Sequence, residues 1–594
     1  METTRWLLYG VGGIPGSAGR SPPASAAPKY EHGPLASRPA ICGWATPDSR
    51  PASTALRCNW PCRRFAKIDA SSNRKWLAVT LGLTVRFDRF FVIYCTRVQY
   101  HSRKIIAMMS PRSFQSVCRR ASRQRGFGIR IGVAILAAAV SICANAGIDP
   151  AAAPIPSGGK TAASRAPAPA GIDALVATSG WQLESVVIVS RHGVRSPTRT
   201  KPPLAELTSQ RWPDWPVAPG ELTPRGESMI RAMGNWYGDW LRQHHLLPGV
   251  TTCPSAGHVA AWADVDQRTR LTADALLEGI APACGLHGAH QADLDRDDPL
   301  FHAAESGQCR LDPKAVHAAI AARLGPDGLG SLQRRYAASL ARMDEVLEFP
   351  AGPHCKSAAA SGDACSLATL PTRVQIDDSG RHIRLVGPLG IASTVSEVFL
   401  LEYAQGMPAE DVAWSRIRSR DDWDTLLAAH NAQFDLIAKT PAIAVRKGTP
   451  LLADVVGSLT TGIGAQAAFR THAPAGARVY LLGAHDTNLA NLAGMLDLDW
   501  SLPDQPDHTP PGAGLVFARW RDPASGARYV TLELDYASLA QLRNASPLSA
   551  STPPSRLPLR IAGCDDPAHP GACRLDAFTA LVRSRVAPDC LPAR

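Results

Sequence analysis

The sequence predicts an α/β fold: a mainly parallel central sheet flanked by helices, with a smaller α-helical domain inserted into it. Three observations predict it. The stretch "LESVVIVSRHG" runs a short β-branched segment, Val186 to Val189, straight into charge, as expected of a strand buried on both faces of a parallel sheet. The stretch "ARVYLLGAHDTNLANLAGML" repeats the pattern, with Val479 to Leu482 as the strand and a helix after it. Between the two, residues 310–437 hold helix-compatible stretches such as "GSLQRRYAASLARMDEVLEF" and "SEVFLLEYAQGM", which suggest a helical lobe inserted into the sheet domain.

The charge is unevenly spread. The 594 residues carry a formal charge of +12, but residues 1–146 hold 22 Lys/Arg and 5 Asp/Glu, and residues 147–594 hold 41 and 46. Downstream of the leader no basic stripe with interleaved aromatics remains, which argues against nucleic acid as partner. Residues 1–107 mix Pro/Gly/Ser/Ala-rich runs with an apolar patch that charges interrupt. They show no periodicity that would build a core, and we expect an untranslated or disordered upstream extension, with the start at Met108 or Met109. Residues 108–146 read as a signal peptide: Arg119, Arg120, Arg123, Arg125 and Arg130, then "IGVAILAAAVSICANA", whose Ala144-Asn145-Ala146 fits a small-x-small cleavage site. A membrane anchor is the competing reading, but the apolar run is short and no stop-transfer segment follows. Export to the periplasm or the medium, without a stable membrane anchor, is the expectation. Residues 147–179 are Pro/Ala-rich and read as a flexible linker, leaving residues 180–594 for the folded domain.

Within that domain, "GELTPRGESMIRAMGNWYGDWLRQHHLL" offers Thr223 as N-cap and Pro224 at the first helical position. Met229, Met233, Trp236 and Trp240 recur there at helical spacing and read as packing residues. Eight cysteines follow the cleavage site: Cys253, Cys284, Cys309, Cys355, Cys365, Cys564, Cys573 and Cys590. An even set in an exported chain reads as disulfides, and no C-x2-C pair supports zinc. Eight cysteines allow about 105 pairings. Closeness along the chain favours Cys355 with Cys365, Cys564 with Cys573 and Cys253 with Cys284, leaving Cys309 for Cys590.

Both charged junctions, at His192 and at His485-Asp486, fall where a strand ends and a helix starts. In an open α/β sheet such junctions line one crevice, and helix amino termini there favour anions. A lone R-H-G is weak evidence. Arg191, Arg195 and Arg199 accompany His192 at short spacing just after a buried strand, where a solvated charged face is an awkward explanation. Guanidinium forks match phosphate oxygens, and their charge disfavours a protonated imidazole. A neutral His192 could then attack phosphorus and carry the phosphoryl group, with the arginines stabilising the equatorial oxygens and no metal or cofactor required. His485 could hold a phosphate oxygen. Asp486 could protonate the leaving oxygen and then activate water, which requires it to start protonated and favours acid pH. The competing reading of Asp486 is a helix cap.

The motifs "RHGVRSP", "ELTPRGE", "ADVDQRTR" and "GAHDTN", in this order, resemble those of the histidine acid phosphatases, more narrowly the bacterial periplasmic phytases. The similarity extends from about Leu183 to Cys590 and includes "AQGMP", "HNAQF", "LPDQPDHTPPG" and all eight cysteines. The resemblance implies His192 as nucleophile, Asp486 as proton donor, and Arg191, Arg195, Arg268 and His485 as the phosphate cradle. It implies Thr198, Arg199 and Glu397 as further substrate contacts, although Glu397 also fits an ordinary helix-surface acid. It implies the disulfide pairing given above and action on a small phosphomonoester, phytate or a sugar phosphate; a monomer is the expectation for the active unit. One departure is Gly514, which stands where the family carries an acidic residue. A non-catalytic phosphate-binding protein is the alternative of a different class, and the presence of both His192 and Asp486 argues against it. A cytoplasmic phosphoglycerate-mutase-like enzyme shares the R-H-G logic but is opposed by the leader and the cysteines.

Overall fold

The computed structural model describes residue 176 and residues 179–359, 365–464 and 467–591. The upstream extension, the signal peptide and nearly all of the linker lie outside the described residues. Ten strands are present among them: β1 (Gln182–Arg191), β2 (Val259–Ala263), β3 (Ala289–His290), β4 (Arg373–Ile376), β5 (Ile383–Val386), β6 (Val479–Ala484), β7 (Gly514–Arg521), β8 (Arg528–Tyr536), β9 (Ser555–Leu559) and β10 (Ala572–Arg574).

The main sheet has the order β10-β8-β7-β1-β6-β2-β3, with β9 also pairing with β8. Strands β1, β6, β2 and β3 are parallel; β7 joins β1 antiparallel, and β8, β9 and β10 continue that half antiparallel. The sheet is therefore mixed, with mostly parallel central strands. Its parallel half needs crossover helices, and these supply two covering layers. Val186 and Ile188 of β1 pack with Val479, Leu481, Val516 and Trp236 on one face; Val187 and Val189 pack with Tyr480, Leu482, Phe517 and Leu489 on the other. Burial on both faces explains the unbroken apolar runs.

The helix Pro224–Gln243 begins as its sequence predicts, with Thr223 Oγ1 accepting from Gly226 N. Met233, Trp236 and Trp240 are buried in the core and Met229 packs at its edge. Gly193 and Gly226 let this helix approach the chain after β1: a Cβ on Gly193 would lie 2.7 Å from Ile230, and one on Gly226 would lie 2.2 Å from the Val194 carbonyl. The glycine of the R-H-G tripeptide thus has a packing reason.

Between β3 and β6 the helices Pro313–Leu324, Ala337–Leu347, Pro388–Ala404 and Arg420–Ile437 gather around Leu340, Phe399 and Leu427. The same cluster holds the hairpin β4–β5, so this region is not purely helical. Four disulfides link Cys253–Cys284, Cys309–Cys590, Cys355–Cys365 and Cys564–Cys573. At Gly514, paired with Asp535 of β8, a Cβ would sit 3.2 Å from the Tyr237 hydroxyl. Any larger residue there presses on that tyrosine, which Asp535 already faces.

Candidate active site

Three parallel strands end side by side, and their ends carry the site. His192 N donates to the Ala484 carbonyl beyond β1, and Asp264 N donates to the Gly483 carbonyl beyond β2. His192, Asp264 and His485 are thereby brought to one crevice at the carboxyl edge of the sheet. The cleft, of about 190 Å3, is lined by His192, Arg195, Arg268, His302, Lys447, His485 and Asp486, among others.

His192 is buried, and its Nδ1 lies 2.9 Å from the Gly193 carbonyl. That contact assigns the proton to Nδ1 and leaves Nε2 as the free lone pair. Its pKa is pushed well below the usual imidazole value, first by burial and then by Arg268, Arg195 and Arg191. The sequence reading credited the arginines alone; removal from water is the larger cause.

Arg191 is fully buried and held at both Nη atoms. Its Nη2 lies 2.5 Å from Glu397 Oε1 and 3.0 Å from Asp486 Oδ2, its Nη1 lies 2.9 Å from Asp507 Oδ2, and Nη1 also donates to the Thr509 carbonyl. Burial disfavours its charge, but Asp486, Asp507 and Glu397 together raise its pKa. Arg195 Nη2 shares Glu397 Oε1 at 3.0 Å. Arg268, at the start of the helix Gln267–Ile280, pairs with Asp266 at 2.6 Å and approaches His485 Nδ1 at 3.4 Å. The Nε atoms of Arg191, Arg195 and Arg268 are each buried without a hydrogen-bond partner.

His485 Nε2 lies 2.7 Å from Asp264 Oδ2. Burial lowers its pKa, Asp264 opposes this, and Arg268 and His302 add to it. Asp486 is the first residue of the helix Asp486–Leu496, one position past the cap, so the capping alternative does not describe it. Its Oδ1 accepts from Thr487 N, while Oδ2 faces Arg191. Burial alone would raise its pKa; Arg191, Arg195 and His485 more than offset that and hold the carboxyl below its usual range. The expectation that Asp486 starts protonated is therefore corrected for the arrangement in the structure, where its arginine partners keep it ionised.

Glu397 is not a helix-surface acid. It projects from the helix Pro388–Ala404 with its side chain 14% exposed and bridges Arg191 and Arg195. Thr198 and Arg199 lie apart from the cleft itself, on an adjoining groove of about 530 Å3 that they line with Lys201, Arg384, Lys447 and Thr487. Lys447 and Thr487 border both spaces. Sequence reasoning missed Asp264, Asp507, His302 and Lys447. Only Asp264, at the end of a short strand in "ADVDQRTR", carried a positional signal. Asp264, Asp266, His302 and His485 bring donor atoms within 4.8 Å of one another. Asp264 Oδ2 receives both imidazoles and Asp266 holds Arg268, so these atoms are engaged with one another and with protein partners.

The comparisons with known proteins agree with this geometry. The chain is 40% identical over 413 residues to phytase AppA of Escherichia coli (strain K12), covering 69% of this chain and 93% of that protein. It is 30% identical over 410 residues to the glucose-1-phosphatase of Salmonella typhimurium, covering 68% and 93%. The solved structure of Hafnia alvei phytase in its apo form superposes with a TM-score of 0.65 at 43% identity, covering 70% of this chain and 99% of that one. Residues 182–534 match the histidine phosphatase superfamily (branch 2), and the chain belongs to that family.

Proposed function

We propose that this protein is an acid phosphomonoesterase, a phytase that removes phosphates stepwise from myo-inositol hexakisphosphate through a covalent phosphohistidine on His192. The observation that carries the reading is a cleft lined by a neutral imidazole with its Nε2 free and by Arg195 and Arg268, with Arg191 buried beside His192, each of the three arginines having a buried, unpartnered Nε–H. Buried donors without partners are costly, and a phosphate dianion satisfies several at once. His192 Nε2 attacks phosphorus, forming the N–P bond as the ester P–O bond breaks. The arginines hold the equatorial oxygens, with His485 lining the cleft beside Arg268. Phosphate bound at Arg191 and Arg195 takes up the charge that holds Asp486 ionised, so its pKa rises and it can donate a proton to the leaving oxygen. Asp486 then removes a proton from the water that cleaves the N–P bond.

Phytate is favoured over a smaller ester by the adjoining groove, where Arg199, Lys201 and Arg384 offer cations to phosphates beyond the one being cleaved. The relation to a glucose-1-phosphatase keeps a sugar-phosphate phosphatase as the second reading. Four disulfides fit action in the periplasm or the medium. No described helix is long and apolar enough to cross a membrane, and we read the active unit as a monomer. Product analysis after brief incubation with phytate at pH 4–5 tests the substrate; negligible phosphate release alongside rapid turnover of glucose 1-phosphate would overturn it. Phosphate label trapped on denatured wild type, and absent from His192→Ala, tests the intermediate.

A further inference from the structure

The cleft wall carries a third histidine that this mechanism leaves unused. His302 follows a turn ordered by Asp298, whose carboxylate accepts from Leu300 N at 2.9 Å and whose carbonyl accepts from His302 N at 2.8 Å. Asn488 fixes the same turn by donating to the Phe301 carbonyl at 2.8 Å. The His302 ring centroid lies 5.1 Å from that of His485. Its Nε2 lies 2.9 Å from Asp264 Oδ2, the oxygen that also receives His485 Nε2. Asp264 is wholly buried, so the ring is anchored from behind. The side chain is 27% exposed and lines the same cleft as His192, Arg195 and Arg268. Its Nδ1 has no hydrogen-bond partner among the described residues.

We propose that His302 is a further phosphate-binding residue of this site, whose Nδ1 donates to a phosphate oxygen when the ring is an imidazolium and presents a lone pair when the ring is neutral. The proton count forces the alternation. A neutral imidazole has one N–H, and the bond to Asp264 uses it; only a second proton makes Nδ1 a donor. Four groups set when that proton is held. Asp264 faces the ring from the end of β2, Glu305 from the same segment, Lys447 from the helix Pro441–Thr460, and His485 from beyond β6. Burial opposes the charge, Asp264 and Glu305 more than compensate, and Lys447 subtracts, so the ring holds its proton to higher pH than a free imidazole. Lys447 is itself paired with Glu305 at 2.5 Å, which blunts its effect. A bound phosphate adds negative charge and strengthens the same tendency.

The inference rests on reading the cleft as a phosphomonoester site, though not on phytate as substrate. Its test uses inorganic phosphate as competitive inhibitor of an aryl phosphate ester, with His302→Asn and His302→Gln, which retain an N–H for Asp264 but cannot ionise. The expected result is an inhibition constant raised about tenfold at pH 5 and less than about twofold at pH 8 in both variants, with the loss falling on Ki and KM more than on kcat. Unchanged inhibition at pH 5 overturns the proposal. So does an equal loss at both pH values with a fall in kcat, which would make His302 only a support for His485 through Asp264. If wild type neither cleaves the aryl ester nor binds phosphate, the phosphomonoesterase reading fails instead; if it does both and the variants match it, only His302 fails.

Discussion

Replacing Asp486 by asparagine removes a proton and a charge while keeping the side-chain volume and the helix start. In the structure Asp486 Oδ2 lies 3.0 Å from Arg191 Nη2, but Arg191 also holds Glu397 and Asp507, so the cradle should survive the change. A positioned general acid contributes about 10²–10⁴ in rate, which is about 3–5 kcal/mol of barrier. The whole loss is expected on an alkyl ester such as an inositol phosphate, whose alkoxide leaves only with a proton. An activated aryl ester departs unaided, so its first turnover should stay within about tenfold of wild type. Phosphate affinity should hold or improve, because a negative charge facing the phosphate is gone. Rapid-mixing measurement of aryl alcohol release resolves both half-reactions. If Asp486 is also the base for water, the variant releases one equivalent in a burst and then stalls as the phosphohistidine. Equal first-turnover losses on alkyl and aryl esters would refute the proton-donor role.

The remaining predictions concern pH and stability. Because burial and three arginines push His192 well below the usual imidazole value, kcat/KM for an aryl ester should show no acid limb near pH 6.5; a limb there would mean that the nucleophile is not held neutral. Glu402, buried near the end of the helix Pro388–Ala404, has its pKa pushed up from 4.5 to about 8 by burial, against the bond from Ala413 N. Its folded state therefore binds the proton more tightly than the unfolded chain, and stability falls as pH rises from 4.5 towards 8, by up to about 5 kcal/mol; thermal melts of Glu402→Gln should flatten this dependence. Cys309–Cys590 closes a separation of 281 residues, so replacing both by serine should cost about 2–5 kcal/mol, read as a lower denaturant midpoint with activity at low temperature retained.

What could be read from the sequence follows from what is local. Val186–Val189 and Val479–Leu482 were legible because burial on both faces leaves no alternation to misread, and His192, His485 and Asp486 were legible because they sit directly at the strand ends. The hairpin β4–β5 had a signal that was passed over: "RVQIDDSGRHIRLV" places a turn between two short alternating runs. Glu397 had one too, since it interrupts a helix that is otherwise largely buried, where an acid must either pair with a cation, as Glu397 does, or hold its proton, as Glu402 does. Asp507 and Lys447 had none. They reach the site from a loop and a helix far along the chain, and only tertiary structure makes them neighbours of Arg191 and His302.

The carboxylates around Arg191 divide into two kinds, and the division says how the site works. Asp507 is fully buried and joins the Thr509 carbonyl on Nη1; it fixes the guanidinium from behind. Glu397 and Asp486 share Nη2, and each is 14% exposed; of the two, Asp486 lines the cleft. On the proposed reading Nη2 is therefore the edge at which an incoming phosphate oxygen competes, while Nη1 stays committed to the protein. A lysine could not split its charge this way, because its ammonium is a single point rather than a fork. The competition also orders the chemistry. As phosphate takes Nη2, Asp486 loses the counter-cation that kept it ionised and gains an anion as neighbour, and both changes raise its pKa. Under the proposed mechanism the acid is thus armed by the arrival of the substrate it protonates.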